Sequence, residues 1–237
     1  MKIYDSNGKL LEFEYPDNIT PLPYGKSWYH IGDSNSQWMG GDNLDNPDAD
    51  GFLLTAARKN GIAKFTNASV AGASWAYRES VPDKNDVCGV ARVDALVASG
   101  EKPDYITFLL GTNADDDTGS TENTAADTST TAGAIRYCLE KLLVAFPTSA
   151  IGVMLPMQRA VTYTAQETKN ALIEELCRYY SIPTLDLFHE GQIVPDSKLT
   201  VYDDGHEGVI YTDSAHITTD NGVAQMGRKI AGWLGRI

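Results

Sequence analysis

The stretch DYITFLLG, residues 104–111, is apolar almost throughout and ends in glycine; TAGAIRYCLEKLLVA, residues 131–145, follows it, and then a second apolar run, AIGVMLP, residues 150–156. A strand whose apolar residues do not alternate with polar ones is covered on both faces, as the strands of a parallel sheet are. In the segment between, Ile135, Cys138, Leu139, Leu142, Leu143 and Phe146 recur at threes and fours, which gives a helix one buried face. Strand, helix and parallel strand make one βαβ unit.

The rhythm extends in both directions. Toward the N-terminus lie SWYHIG (27–32), a helix near 49–60, AKFTNA (63–68) and a helix near 86–98. Toward the C-terminus lie a helix from Ala165 to Tyr180, PTLDLF (183–188) and a last helix from Asn221. Leu172, Ile173, Leu176, Cys177 and Tyr180 give the first of these its buried face, and Thr164 with Glu167 matches a capping box at its start. The expected fold is a three-layer α/β/α sandwich around a five-stranded parallel sheet, in one domain over residues 27–237. Residues 1–26 read as an appendage, with KIYD and LLEFEY joined by SNGK as a β-hairpin.

Two segments break the pattern: residues 114–130, rich in Asp, Gly, Ser and Thr, and residues 189–212, where KLTVY and EGVIYT flank DDGH as a second hairpin. Both are expected on the surface, where loops at the carboxyl ends of strands wall a cleft.

A chain of 237 residues holds one sizeable core. Its formal net charge of −13 argues against gripping phosphate backbones, which is done by Lys and Arg, so nucleic acid is not an expected partner. Nowhere do 18 apolar residues run together, and the N-terminal MKIYDSNGKLLEFEY holds no signal-peptide core. Cys88, Cys138 and Cys177 form no CxxC pair and read as buried thiols. Asp42, Asp45, Asp48 and Asp50, like Asp115 to Asp117, lack EF-hand spacing and read as solvated loops, with no metal expected.

The chemistry gathers at strand ends. The first strand of the domain runs into Gly32-Asp33-Ser34-Asn35-Ser36, the second into Asn67-Ala68-Ser69-Val70-Ala71-Gly72, and the third into Gly111-Thr112-Asn113; Asp213-Ser214-Ala215-His216 precedes the last helix. Acyl transfer from an ester needs a nucleophile, a base, a group that orients the base, and donors for the oxyanion. Ser34 fits the first role and His216 the second, and Asp213, three residues before His216, can reach its other ring nitrogen. The backbone amides of Ser34 and Gly72 and the side-chain amide of Asn113 would be the oxyanion donors, glycine at 72 permitting close approach.

Taken in order, IGDSNS, NASVAGAS, GTNAD and DSAH resemble the four blocks of the SGNH hydrolases, the GDSL-like esterases and lipases. The resemblance runs from about Trp28 to Trp233. It implies the flavodoxin-like three-layer fold, ester hydrolysis without a cofactor, and the roles just given to Ser34, Gly72, Asn113, Asp213 and His216. Two positions depart from the common pattern: Asn35 stands where leucine often follows the Gly-Asp-Ser triplet, and Ile217 where proline often follows the histidine.

Trp38 and Trp75 each follow a block closely and are candidates to stack on a sugar ring, with core packing as the rival role. Polar loops, aromatics and the absence of a long apolar lid favour a carbohydrate O-deacetylase over a lipase, and the resemblance adds that many members remove acetyl groups from glycans. A short-chain esterase or lysophospholipase is the alternative within the class. A glycan-binding module on the same fold is the alternative outside it, and a nucleotide binder is disfavoured because no GxGxxG or GxxxxGK[ST] occurs. His30, His189 and His206 are expected to be structural or solvated, none with an acid placed as Asp213 is, and Asp33 is expected to shape the turn.

Overall fold

The computed structural model describes residues 3–4, 10–11, 22–46, 49–122, 125–158, 163–192, 216–217 and 220–237. Near the N-terminus, β1 (Ile3–Tyr4) and β2 (Leu10–Leu11) pair antiparallel. The domain then runs β3 (Ser27–Gly32), α1 (Ser34–Met39), α2 (Phe52–Lys59), β4 (Lys64–Asn67), a 3₁₀ turn over Pro82–Val87, α3 (Gly89–Ser99) and β5 (Tyr105–Leu109). It continues with α4 (Thr131–Ala145), β6 (Ala150–Leu155), α5 (Tyr163–Tyr179), β7 (Thr184–Asp186) and α6 (Asp220–Leu234). The second hairpin expected at 189–212 lies almost wholly outside the described residues.

Five strands form one parallel sheet in the order β4-β3-β5-β6-β7. Alternate side chains of each strand feed opposite faces. Ile106, Phe108, Ile151 and Val153 pack with Val93 and Leu96 of α3, Ile135 and Leu139 of α4 and Ile173 of α5. Trp28, Tyr105, Leu109 and Met154 pack with Phe52 and Leu53 of α2 and with Met226, Ile230 and Trp233 of α6. This is the three-layer sandwich, and it explains why the strands read as continuous apolar runs. The three cysteines are buried free thiols.

Several local expectations are corrected. Leu143 lies outside the buried stripe of α4, at 39% exposure. Helix α5 starts at Tyr163, so Thr164 lies in its first turn, with its carbonyl accepting from Thr168, and Glu167 turns to His189 instead of closing a box. The helix expected near 86–98 divides into the 3₁₀ turn and α3, with Cys88 at the junction. The polar loop after β5 is clipped at its base: Asp117 bridges Thr130, and the Thr131 and Ala132 amides donate to the carbonyls of Asp117 and Thr118.

Candidate active site

β3 delivers Gly32 to the carboxyl edge of the sheet. A Cβ on Gly32 would stand 2.5 Å from Ser36 Oγ and 2.7 Å from Ser69 Oγ, so only glycine lets the chain turn into α1 here. Asp33 caps the helix, its carboxylate accepting from the Asn35 amide at 3.1 Å. The cap puts Ser34 at the first helical position, where the backbone N–H has no partner inside the helix. Burial pushes the Asp33 carboxyl up from its ordinary range, against hydrogen bonds from Thr112 and the Asn35 amide and against nearby His216. Asp33 thus shapes the turn.

Ser34 Oγ lies 2.9 Å from His216 Nε2. The two are 182 residues apart in sequence, and buried Ile217, packed with α2 and α6, anchors the histidine. Asp213, expected to orient His216, lies outside the described residues, as does His206.

Short bonds tie α1 and the turn that follows it to the end of β4 and the segment beyond. Asn67 Nδ2 donates to the Ser36 and Gly41 carbonyls at 2.8 and 3.0 Å, and the Ala71 amide donates to Gln37 Oε1 at 2.6 Å. That segment ends at Gly72, whose φ of +81° is the reason for glycine there; a Cβ would meet only the Lys84 methylenes, at 3.4 Å and beyond. Asn113, past the end of β5, donates from Nδ2 to the Ala73 carbonyl at 2.9 Å, and its second amide hydrogen has no partner among the described residues. The backbone amides of Ser34 and Gly72 donate no hydrogen bond among the described residues. Among the described residues, then, the amides of Ser34 and Gly72 and one hydrogen of Asn113 Nδ2 have no hydrogen-bond partner.

Of the two tryptophans, only Trp38 is near the site. Its ring centroid lies 4.6 Å from that of His216 with the planes at 48°, and the side chain is 58% exposed. Trp75 does not line a cleft: it is fully buried, its Nε1 donates to the Leu110 carbonyl at 3.1 Å, and its ring packs 5.0 Å from Phe108. Closeness in sequence to a site block does not fix which way a side chain points.

His189 corrects a second expectation. It has an acid placed as Asp213 is relative to His216: Asp186, three residues earlier, bonds His189 Nδ1 at 2.7 Å. That carboxylate raises the His189 pKa. The outer nitrogen of His189 faces Glu167 Oε1 at 3.6 Å rather than a hydroxyl. Asp-x-x-His spacing alone therefore does not single out a base; what distinguishes His216 from His189 is the serine hydroxyl at its Nε2. His30 is buried, bonded through Nδ1 to Thr107 and through Nε2 to Ser36, and burial lowers its pKa to about 3.

Sequence reasoning passed over Arg78 and Lys169. Arg78 donates to the carbonyls of Gly72 and Ala114, and Lys169 donates to that of Asn113 at 2.8 Å. Neither belongs to a block, and a cation that bonds backbone carbonyls has no spacing signature.

A family profile described as GDSL-like Lipase/Acylhydrolase matches residues 29–215. No functionally curated protein matches the chain by sequence. A possible lipase from Chitinophaga pinensis is 19% identical over 88% of this chain and 97% of its own, with a TM-score of 0.63. The aryl esterase of M. smegmatis is 16% identical over 88% and 98%, with a TM-score of 0.57. A carbohydrate acetylesterase from Sinorhizobium meliloti is 14% identical over 88% and 98%, with a TM-score of 0.60. At such identities the likeness is one of fold. Kinship rests on the profile, which runs from β3 to the residue before His216: the chain belongs to the GDSL-like lipase/acylhydrolase family.

Proposed function

We propose that the chain is a serine esterase that removes O-acyl groups, in particular O-acetyl groups, from carbohydrates. The observation that carries the reading is the 2.9 Å approach of Ser34 Oγ to His216 Nε2, in a chain that the family profile covers from β3 onward. In the reaction, Ser34 Oγ attacks the acyl carbon as His216 Nε2 takes its proton. The carbonyl oxygen becomes an oxyanion facing the Ser34 and Gly72 amides and Asn113 Nδ2. Collapse expels the alcohol, protonated by His216, and leaves an acyl-Ser34 ester. Water, deprotonated by His216, then releases the acid and returns the proton to Ser34. The role of orienting His216 is the one we propose for Asp213.

Support for a carbohydrate is the exposed Trp38 face beside His216, a surface on which a sugar ring stacks.

The test is acetate release from O-acetylated glycans alongside p-nitrophenyl acetate and long-chain p-nitrophenyl esters. Turnover of the acetylated glycans, with little on the long chains, is expected. A protein inert on every ester would overturn the reading and leave a binding module. Preference for long chains would replace deacetylase by lipase.

Two substitutions refine it. Trp38→Ala should raise KM for the glycan ester by roughly 2- to 12-fold, as losing one stacked ring of roughly 0.5–1.5 kcal/mol would, while leaving KM for p-nitrophenyl acetate unchanged. Equal KM changes on both esters would remove Trp38 from sugar recognition. Asn113→Ala should lower kcat by about 10²- to 10³-fold, the usual cost of one oxyanion donor. A kcat within threefold of wild type would exclude Asn113 from the oxyanion hole.

A further inference from the structure

The two loop donors of the oxyanion hole leave strands that are not neighbours: Gly72 follows β4 and Asn113 follows β5, and β3 lies between them in the sheet. No ladder sets their separation. Yet such donors act only when held to within a few tenths of an ångström of the developing oxyanion.

Arg78 spans the gap. It is 8% exposed, and one guanidinium nitrogen donates to the Gly72 carbonyl at 2.8 Å while the other donates to the Ala114 carbonyl at 3.0 Å. The residue is itself fixed, its amide donating to Asn85 Oδ1 at 2.6 Å and its carbonyl accepting from Asn85 Nδ2 at 3.0 Å. A planar fork with two fixed donors can set the distance between two carbonyls, which a single ammonium cannot. Other ties join the same segments, from the Asn113 amide to the Ala73 carbonyl and from the Ala76 amide to Asp115 Oδ1; Arg78 bonds the carbonyl of Gly72, whose peptide is otherwise held within its own segment by the Ala73 amide donating to the Val70 carbonyl.

We infer that Arg78 is a positioning residue for ester hydrolysis, which holds the Gly72 amide and the Asn113 amide at the separation the oxyanion needs. The inference rests on the serine-esterase reading above. It acts on the tetrahedral state alone, since the donors engage the oxyanion more strongly than the ground-state carbonyl. Its signature is therefore a loss in kcat with little change in KM.

The experiment compares wild type, Ser34→Ala, Arg78→Met and Arg78→Lys on p-nitrophenyl acetate, with near-UV circular dichroism and melting temperature as checks of fold. Each is also titrated with phenylboronic acid, whose boron bonds to Ser34 Oγ as the serine proton passes to His216, giving a tetrahedral boronate anion. Expected are a kcat lower by about 10- to 100-fold in Arg78→Met, the usual cost of a small misplacement of reacting groups, and KM within about twofold. Arg78→Lys should fall between it and wild type, and the boronate Ki should weaken in step with kcat/KM. A folded Arg78→Met with kcat within twofold of wild type would overturn the inference, and so would lost activity with an unchanged boronate Ki. Should Arg78→Met fail to fold, the same proportionality is read from Arg78→Lys. Activity surviving in Ser34→Ala is a separate result, which sinks the serine-esterase reading whatever Arg78 does.

Discussion

Ser34→Ala and His216→Ala should each lower kcat on an acetyl ester by about 10⁵- to 10⁶-fold, and the double variant should be no slower than either single one. The geometry gives the reason. At 2.9 Å from His216 Nε2, Ser34 Oγ can pass on its proton as it attacks; without the imidazole it must attack as a neutral alcohol. Without Ser34, the imidazole can only activate water at a carbonyl placed for a different nucleophile. Each loss removes the same step, so the losses do not multiply. The residual rate of all three variants should match and should still exceed the uncatalysed rate, because the oxyanion donors remain. The measurement is kcat for the four proteins of the cycle, with active-site titration to exclude contaminating wild type. Multiplying losses would mean that the two residues act independently.

The sheet was legible because its strands are buried on both faces, so Tyr105 to Leu109 and Ala150 to Leu155 stand out as apolar runs. Helix α1 was not legible: SNSQWM has no apolar period, and its helicity comes from the Asp33 cap and the bonds of Gln37 and Asn67. Ser34 and Asn113 could be placed at strand ends because strand order and direction put them there. Trp75 could not be assigned from its neighbours, since the direction of a side chain in an irregular segment is set by packing. His189 shows the limit of spacing as a signal, for Asp186 serves it as a partner while its other ring nitrogen faces Glu167. Arg78 shows another: a cation read from sequence is assumed to face water, and here it faces two carbonyls.

Stability should depend on pH through His30, a residue with no part in the chemistry. Trp28 Nε1 donates to Thr107 Oγ1 at 2.7 Å, so the threonine hydroxyl is free to donate to His30 Nδ1, and His30 Nε2 then donates to Ser36 Oγ at 3.0 Å. This assignment makes the ring neutral, with one nitrogen accepting and one donating. A second proton would put a charge in a fully buried site and break the bond from Thr107. Burial accordingly lowers the pKa from 6.5 to about 3. The sign follows: between those values the unfolded chain holds a proton that the folded one refuses, so stability is complete above about pH 6.5 and falls as the pH drops toward 3. At about 1.4 kcal/mol per pH unit, wild type should lose roughly 2 to 3 kcal/mol through this residue between pH 7 and 4.5, a large fraction of a typical folding free energy. His30→Gln keeps a donor and an acceptor but cannot titrate. Urea unfolding of both proteins across this range should show the difference in their stabilities shrinking, or reversing, as the pH falls. Parallel pH profiles would mean that His30 takes up its proton as readily in the fold as in the unfolded chain, and that the chain from Trp28 to the serine-bearing helix is organised differently.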